Sequence, residues 1–286
     1  MAKRERRVTL RAQWLGQLLR KLREDNSITL KEAGEYLQKD FSSVSRFELG
    51  TFPVRRGDLT ALMDLYGIDD RAQRDMLIQM CSEVWQTGWW ESYSKDDVWG
   101  STIDLVWLEG RAKKLQMFAA LTLPGMLQTE DYARALITAV DDQATTQQIN
   151  RWVELRMGRQ QILGRDDGPA VSVVLDEAAI RRPVGGSQVM SQQLQSLLSQ
   201  IRSGCIEVRV LPFAVGPHAS PEGGFTLLTL NEPFDSVAHI ESRGGGIYLE
   251  RGDVDHLLRV YDRLKESALG PQDSAAFISG AEKDIR

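Results

Sequence analysis

Residues 29–50, TLKEAGEYLQKDFSSVSRFELG, decide the fold of the first part of this chain, because they read as two short helices joined by a tight turn. Thr29 followed three positions later by Glu32 has the spacing of a capping box, so a helix is expected to start there. Ala33 and Leu37 lie one turn apart on its inward face. Lys39-Asp40-Phe41 interrupts the pattern, and Ser42 is placed to cap a second helix that runs to about Glu48. In that second helix Val44 and Phe47 face inward together, while Ser42, Ser43 and Arg46 fall on a stripe that points outward. A short helix with an apolar back and a Ser/Ser/Arg front suits the major groove of DNA.

The flanks extend this pair to a bundle of five helices. Upstream, Trp14, Leu15, Leu18, Leu19 and Leu22 recur at helical spacing and the run ends near Asn26. Downstream, Leu59, Leu62, Met63 and Tyr66 repeat the period, with Gly67 as a natural stop. A further helix is expected from about Asp70 to Trp85, which places a DNA-binding domain over residues 14–82.

Charge is segregated in the same sense. The chain of 286 residues carries 35 Lys+Arg and 40 Asp+Glu, net −5. Residues 1–60 hold 13 basic and 8 acidic residues, net +5, which leaves net −10 for the remainder. Positive charge therefore accompanies the helix pair, as a nucleic-acid footprint requires. Lys3, Arg4, Arg6, Arg7 and Arg11 make residues 1–13 a basic arm, either solubilising or lying along phosphates. Ser42, Ser43 and Arg46 are the expected base-edge contacts, Arg46 suiting bidentate pairing with guanine. Lys39, Thr51, Arg55 and Arg56, in the turn and just beyond the second helix, are the expected phosphate contacts.

SVSRFELG preceded by LKEAGEYL, within residues 14–67, resembles the Cro/repressor-type helix-turn-helix family. Two positions depart from its usual pattern: Gln38 stands in the turn where Gly is common, and Leu30 where a polar phosphate contact is common. The resemblance implies a dimer reading two half-sites of a double-stranded operator.

Residues 83–169 read as a helical, tryptophan-rich connector. Trp85, Trp89, Trp90, Trp99 and Trp107 fall within 23 positions, with Tyr93 among them. They read as packing at a joint, or as an aromatic cage for a ligand. Trp89–Tyr93 has no period and is expected to be a loop. A helix is expected from about Ser101 to Ala119, with Leu105, Leu108, Ala112 and Leu115 on one face. Another starts near Thr129, with Tyr132, Leu136 and Val140 inward, and a third spans Gln147–Leu163 with its arginines solvated.

From residue 170 to 286 the pattern becomes mixed α and β. Strands are expected at Val171–Leu175, Ile206–Leu211, Phe225–Leu230, Ser236–Glu241 and Ile247–Leu249, the last two as an antiparallel hairpin turned at Gly244–Gly246. Helices are expected after Asp176, over Ser187–Ser203, over Asp253–Leu269 and over Ser274–Ile285. The fold class is thus α+β: an N-terminal five-helix bundle, a helical connector, and a C-terminal regulatory or partner-binding domain with a small, mainly antiparallel sheet.

No catalytic constellation, cofactor motif or metal-ligand spacing emerges. Asp176 and Glu177 are adjacent at a helix start, where the macrodipole explains them. His218, His239 and His256 have no metal-ligand spacing with Cys81 and Cys205. Two cysteines are too few for a disulfide framework, no apolar run reaches membrane-spanning length, and the first residues lack the apolar core of a signal peptide. A cytoplasmic, non-enzymatic protein is expected.

VWLEGRAKKLQMFAALTLPGMLQTEDYARALI, followed by LDEAAIRRPVGG, VRVLPF and FTLLTL, resembles a group of actinobacterial regulators that join such a helix-turn-helix to a C-terminal domain of unassigned function. Its landmarks here are Trp107, Leu108, Glu109, Pro124, Gly125, Gln128, Thr129, Tyr132, Ala133, Arg134, Asp176, Glu177, Leu211, Pro212 and Phe213. The resemblance implies a transcriptional regulator whose C-terminal region senses a ligand or binds a small protein encoded nearby. The alternative it implies is an antitoxin-like protein that chiefly sequesters such a partner and binds DNA for autoregulation.

Overall fold

A computed structural model of the chain describes residues 8–85, 100–231, 234–242 and 245–285. They fall into two compact units, Met1–Glu91 and Ser92–Arg286. Trp89, Trp90, Tyr93, Trp99, the hairpin turn at Gly244 and the basic residues Lys3, Arg4, Arg6 and Arg7 lie outside the described residues.

The first unit is the expected bundle of five helices: α1 (Leu10–Asp25), α2 (Leu30–Tyr36), α3 (Phe41–Glu48), α4 (Arg56–Leu65) and α5 (Arg71–Trp85). α1 begins earlier than its apolar period suggests. Thr9 caps it by accepting the Ala12 amide at 3.3 Å, so Leu10 and Arg11 are buried helix residues and not part of an arm. Leu15, Leu19, Ala33, Val44, Phe47, Leu59, Leu62, Met63, Tyr66 and Leu77 form the core. α4 stops at Gly67, whose φ of +66° is cheap only for glycine. Trp85 donates its indole N–H to the Val54 carbonyl at 2.8 Å, so it packs within this unit.

One seam holds α3 in place. The Glu48 carboxylate takes two hydrogen bonds from Arg23 of α1, Nε at 2.6 Å and Nη2 at 2.9 Å, and both side chains are under one-tenth exposed. Gly16 lies against the carbonyls of Phe47 and Glu48 so closely that a Cβ there would overlap the backbone. The α1–α3 contact thus needs both the missing side chain at 16 and the ion pair one helical stretch further on.

The second unit is built on one six-stranded sheet, ordered β3-β2-β1-β4-β5-β6, from β1 (Ala112–Ala119), β2 (Ala170–Asp176), β3 (Ile206–Leu211), β4 (Phe225–Leu230), β5 (Val237–Ser242) and β6 (Gly245–Glu250). β1, β2 and β3 pair in parallel; β4, β5 and β6 continue from β1 antiparallel. The five expected strands and the terminal hairpin are present. The sheet is larger and more parallel than expected because β1, in a stretch expected to be helix, joins β2 in parallel.

The helix expected from about Ser101 to Ala119 is instead a helix followed by a strand. α6 (Gly100–Glu109) ends where expected helix was to continue, and the chain turns at Gly110 into β1. Leu105, Leu108, Ala112 and Leu115 do satisfy a helical period. However, Leu115, Met117, Phe118 and Ala119 are all buried, because β1 is central and covered on both faces. Such a strand loses the alternation that marks a half-exposed one. The separate helical connector expected over 83–169 therefore dissolves at residue 112: α7 (Glu130–Val140) and α8 (Thr146–Arg159) belong to the crossover from β1 to the parallel β2. α9 (Glu177–Arg181) and α10 (Gly186–Arg202) make the next crossover, to β3.

α11 (Gly252–Ser267) covers one face of the sheet, where Val260, Tyr261 and Leu264 pack with Phe118, Val174, Leu227 and Ala238. α12 (Pro271–Ile285) packs beside β3 and α10, and Ser274 accepts the Val210 amide at 2.9 Å. In α7, Tyr132 and Ile137 are buried while Val140, expected inward, is exposed. No described helix is long and apolar enough to cross a membrane.

Candidate nucleic-acid interface

The helix pair of residues 29–50 forms as its residue types dictate. Thr29 accepts the Glu32 amide at 3.2 Å and the Glu32 carboxylate accepts the Thr29 amide at 2.7 Å, which closes the capping box. α2 ends in a Schellman motif: Lys39 N–H bonds the Gly34 carbonyl at 2.9 Å and Gln38 N–H the Glu35 carbonyl at 3.0 Å. Gln38 occupies the left-handed position at φ 53°, the conformation for which glycine is the usual residue. The departure from the family pattern therefore costs stability without changing the turn. Gly34 is the second requirement. A Cβ there would stand 2.9 Å from the Lys39 oxygen and 3.0 Å from the Phe41 nitrogen, so only glycine lets α3 close onto α2.

α3 starts one residue before its expected cap. Asp40 holds the cap position without a side-chain bond, and Ser42 stands in the first turn with its side chain outward. The corrected start brings Phe41 onto the helix. Val44, Phe47 and Glu48 are buried; Ser42 and Arg46 are exposed and Ser43 is half-buried. The Arg46 guanidinium folds back along its own helix, donating from Nε to the Ser42 carbonyl and from Nη2 to Ser43 Oγ, both at 3.3 Å. The three expected base-contacting residues are thus in mutual contact. Both arginine bonds are long and exposed, so a stronger acceptor displaces them readily.

Lys39, Ser43, Arg46 and Arg55 line one cleft of about 360 Å³ together with Phe47, Phe52 and Asp58. Arg55 and Arg56, at the cap and first position of α4, are exposed; Arg56 lies outside that cleft, beside Arg55 and Trp85. Thr51 is exposed but donates its hydroxyl to the Arg46 carbonyl at 3.3 Å, which closes the last turn of α3. Lys39 is paired with Asp58 at 3.3 Å, so one of the expected phosphate contacts is held by an acid on the same surface. Sequence alone gives no sign of two residues that line the cleft, Asp58 and the half-exposed Phe52, or of the exposure of Phe41, 61%, at the start of α3. Asp58 sits in the first turn of α4, where an acid satisfies the helix dipole and gives no sign of facing Lys39.

The second unit uses its conspicuous polar residues internally. Glu109 at the end of α6 takes a bidentate pair from Arg159, 2.9 Å at Nε and 2.7 Å at Nη2, with side chains 4% and 11% exposed. Arg156 donates to Gln128 at 2.9 Å, and Gln128 in turn donates to the Leu123 carbonyl at 2.6 Å. Burial, aided by the neighbouring Arg159 charge, lowers the Arg156 guanidinium to about 10. These two arginines of α8 are therefore structural and not the solvated pair expected from the sequence. Asp176 caps α9 by accepting the Ala178 amide, and Glu177 accepts the Phe213 amide and Arg181 Nε. His239 is buried against Tyr248, and burial pushes its imidazole down to about 4.

A two-helix unit with a glycine-tight turn, a polar outward helix and a basic cleft defines a helix-turn-helix DNA-binding domain. Comparison with known families agrees: residues 14–77 match a helix-turn-helix domain, and residues 102–280 match a domain of unknown function (DUF5753). The second match covers more than half of the chain, and the chain belongs to that family. No curated protein and no solved structure matches it. The helix-turn-helix domain supports a DNA-binding regulator.

Proposed function

We propose that the chain is a sequence-specific transcriptional regulator that reads an operator with α3 as a homodimer. The observation that carries this is the outward cluster of Ser42, Ser43 and Arg46 beside the basic cleft of Lys39 and Arg55. Arg46 takes a guanine edge, Ser42 and Ser43 take neighbouring edges, and Arg55 and Arg56 take phosphates. The unit from residue 92 onward carries the input, a ligand or a small protein partner, and does no chemistry of its own. The engagement of Asp176, Glu177 and His239 in its scaffold supports the non-enzymatic part of this reading.

Selection from random duplexes with the full chain tests the proposal. It should recover a palindrome with half-sites about one helical turn apart. Arg46→Ala should then cost about 1–3 kcal/mol at one base position per half-site and relax the preference there. Recovery of no preferred sequence, or an Arg46→Ala variant with unchanged affinity and preference, would refute it.

A further inference from the structure

We infer that Phe41 reads the methyl group of a thymine in the major groove of the operator. The inference rests on the DNA reading above and adds an apolar determinant to it. Phe41 is the first residue of α3 and is 61% exposed, the most exposed of the described large apolar side chains of its unit. Its backbone is fixed. The Phe41 nitrogen and Cα lie 3.0 and 3.2 Å from the place where a Cβ on Gly34 would stand, so α2 presses directly on it. A residue held this way presents its side chain from a set position, with no ordering of the backbone left for the moment of binding.

The residue before it decides what it meets. A helix N-terminus ordinarily attracts a phosphate. Here the cap is Asp40, exposed and with a carboxylate that makes no capping bond, so a phosphate at this end is repelled. This end of the helix is therefore directed at bases, which is also where the N-terminal residues of a reading helix reach. Ser42 and Arg46 supply donors and acceptors for polar base edges. An aromatic ring supplies neither, and the apolar group that base pairs show in the major groove is the thymine methyl. Contact with it removes both the ring and the methyl from water.

The test uses the full chain and the operator recovered by selection, with thymines replaced one at a time by deoxyuridine, which deletes only the methyl. Binding is read by fluorescence anisotropy. At one position per half-site the replacement should weaken the wild-type chain about fourfold, the worth of one buried methyl-sized group. Phe41→Ala should bind the unmodified operator about as weakly and show no further uracil penalty, while Phe41→Leu and Arg46→Ala should retain the penalty. Two results overturn the inference while leaving the DNA reading intact: a wild-type chain indifferent to uracil everywhere although Arg46→Ala still loses affinity, or an undiminished uracil penalty in Phe41→Ala. Failure to select any operator overturns both.

Discussion

Replacing Glu48 by Ala should cripple the DNA-binding unit from its inside. In the native chain the carboxylate and the Arg23 guanidinium share two short hydrogen bonds, and a third arginine bond, from Nη1 to the Ile28 carbonyl at 2.8 Å, holds that side chain where it is. The pairing with Glu48 also raises the Arg23 guanidinium above its ordinary value. Removal of Glu48 leaves a buried cation with one neutral acceptor and only the half-exposed Glu24 carboxylate, 3.5 Å from Nη2, as a counter-charge. Stranding one member of a buried pair costs about 3–5 kcal/mol. A unit of this size has a total stability on the order of 4–13 kcal/mol, so the loss is about a quarter of it or more. At roughly 4–8 °C per kcal/mol for a small domain, unfolding should move down by more than about 12 °C. Hydrogen exchange on the full chain localises the effect. Amides of α1 and α3 should lose protection while those of β1, β2 and β3 keep theirs. The double variant Arg23→Met/Glu48→Leu should recover most of the loss, because two apolar side chains leave no charge unpaired. A cost below about 1 kcal/mol for Glu48→Ala would put the pair in the class of surface ion pairs and refute this reasoning. So would a double variant as unstable as the single one.

Three further outcomes are expected. Asp58→Asn frees Lys39, so binding to unselected duplexes should tighten and the slope of log affinity against log salt should steepen by about 0.9; an unchanged slope would mean that Lys39 does not reach phosphate. His239 is neutral when folded down to about pH 4, whereas the unfolded chain takes its proton near 6.5; stability is therefore whole above 6.5, falls as the pH drops through that window, and is lost by roughly 3 kcal/mol at 4. His239→Gln should flatten that limb of the denaturation profile, and an equally steep limb in the variant would assign it to other groups. Glu109→Ala strands Arg159 and should cost about 3–5 kcal/mol, read as loss of exchange protection in α6 and α8; protection equal to the wild type would show the pair to be dispensable.

The local signals of the helix pair were legible because they are local. The capping box at Thr29, the buried Val44 and Phe47, and the stop at Gly67 each depend on residues within a turn or two, and the structure repeats them. The sides of α3 followed from the 100° step of a helix. The five C-terminal strands were legible for a different local reason, their apolar and β-branched runs being bounded by turn residues.

Residues distant in the chain decided the rest. β1 carries a helical period in its apolar residues, and only its place between β2 and β4, buried on both faces, makes it a strand. Arg156 and Arg159 look solvated on a helical wheel, and Gln128 and Glu109, 28 and 50 residues away, draw them inside. Lys39 looks free for phosphate until Asp58 is seen beside it. A sequence pattern reports which face of an element is apolar; it does not report which partner arrives to satisfy a buried charge, because that is settled by chain segments brought together only when the core closes.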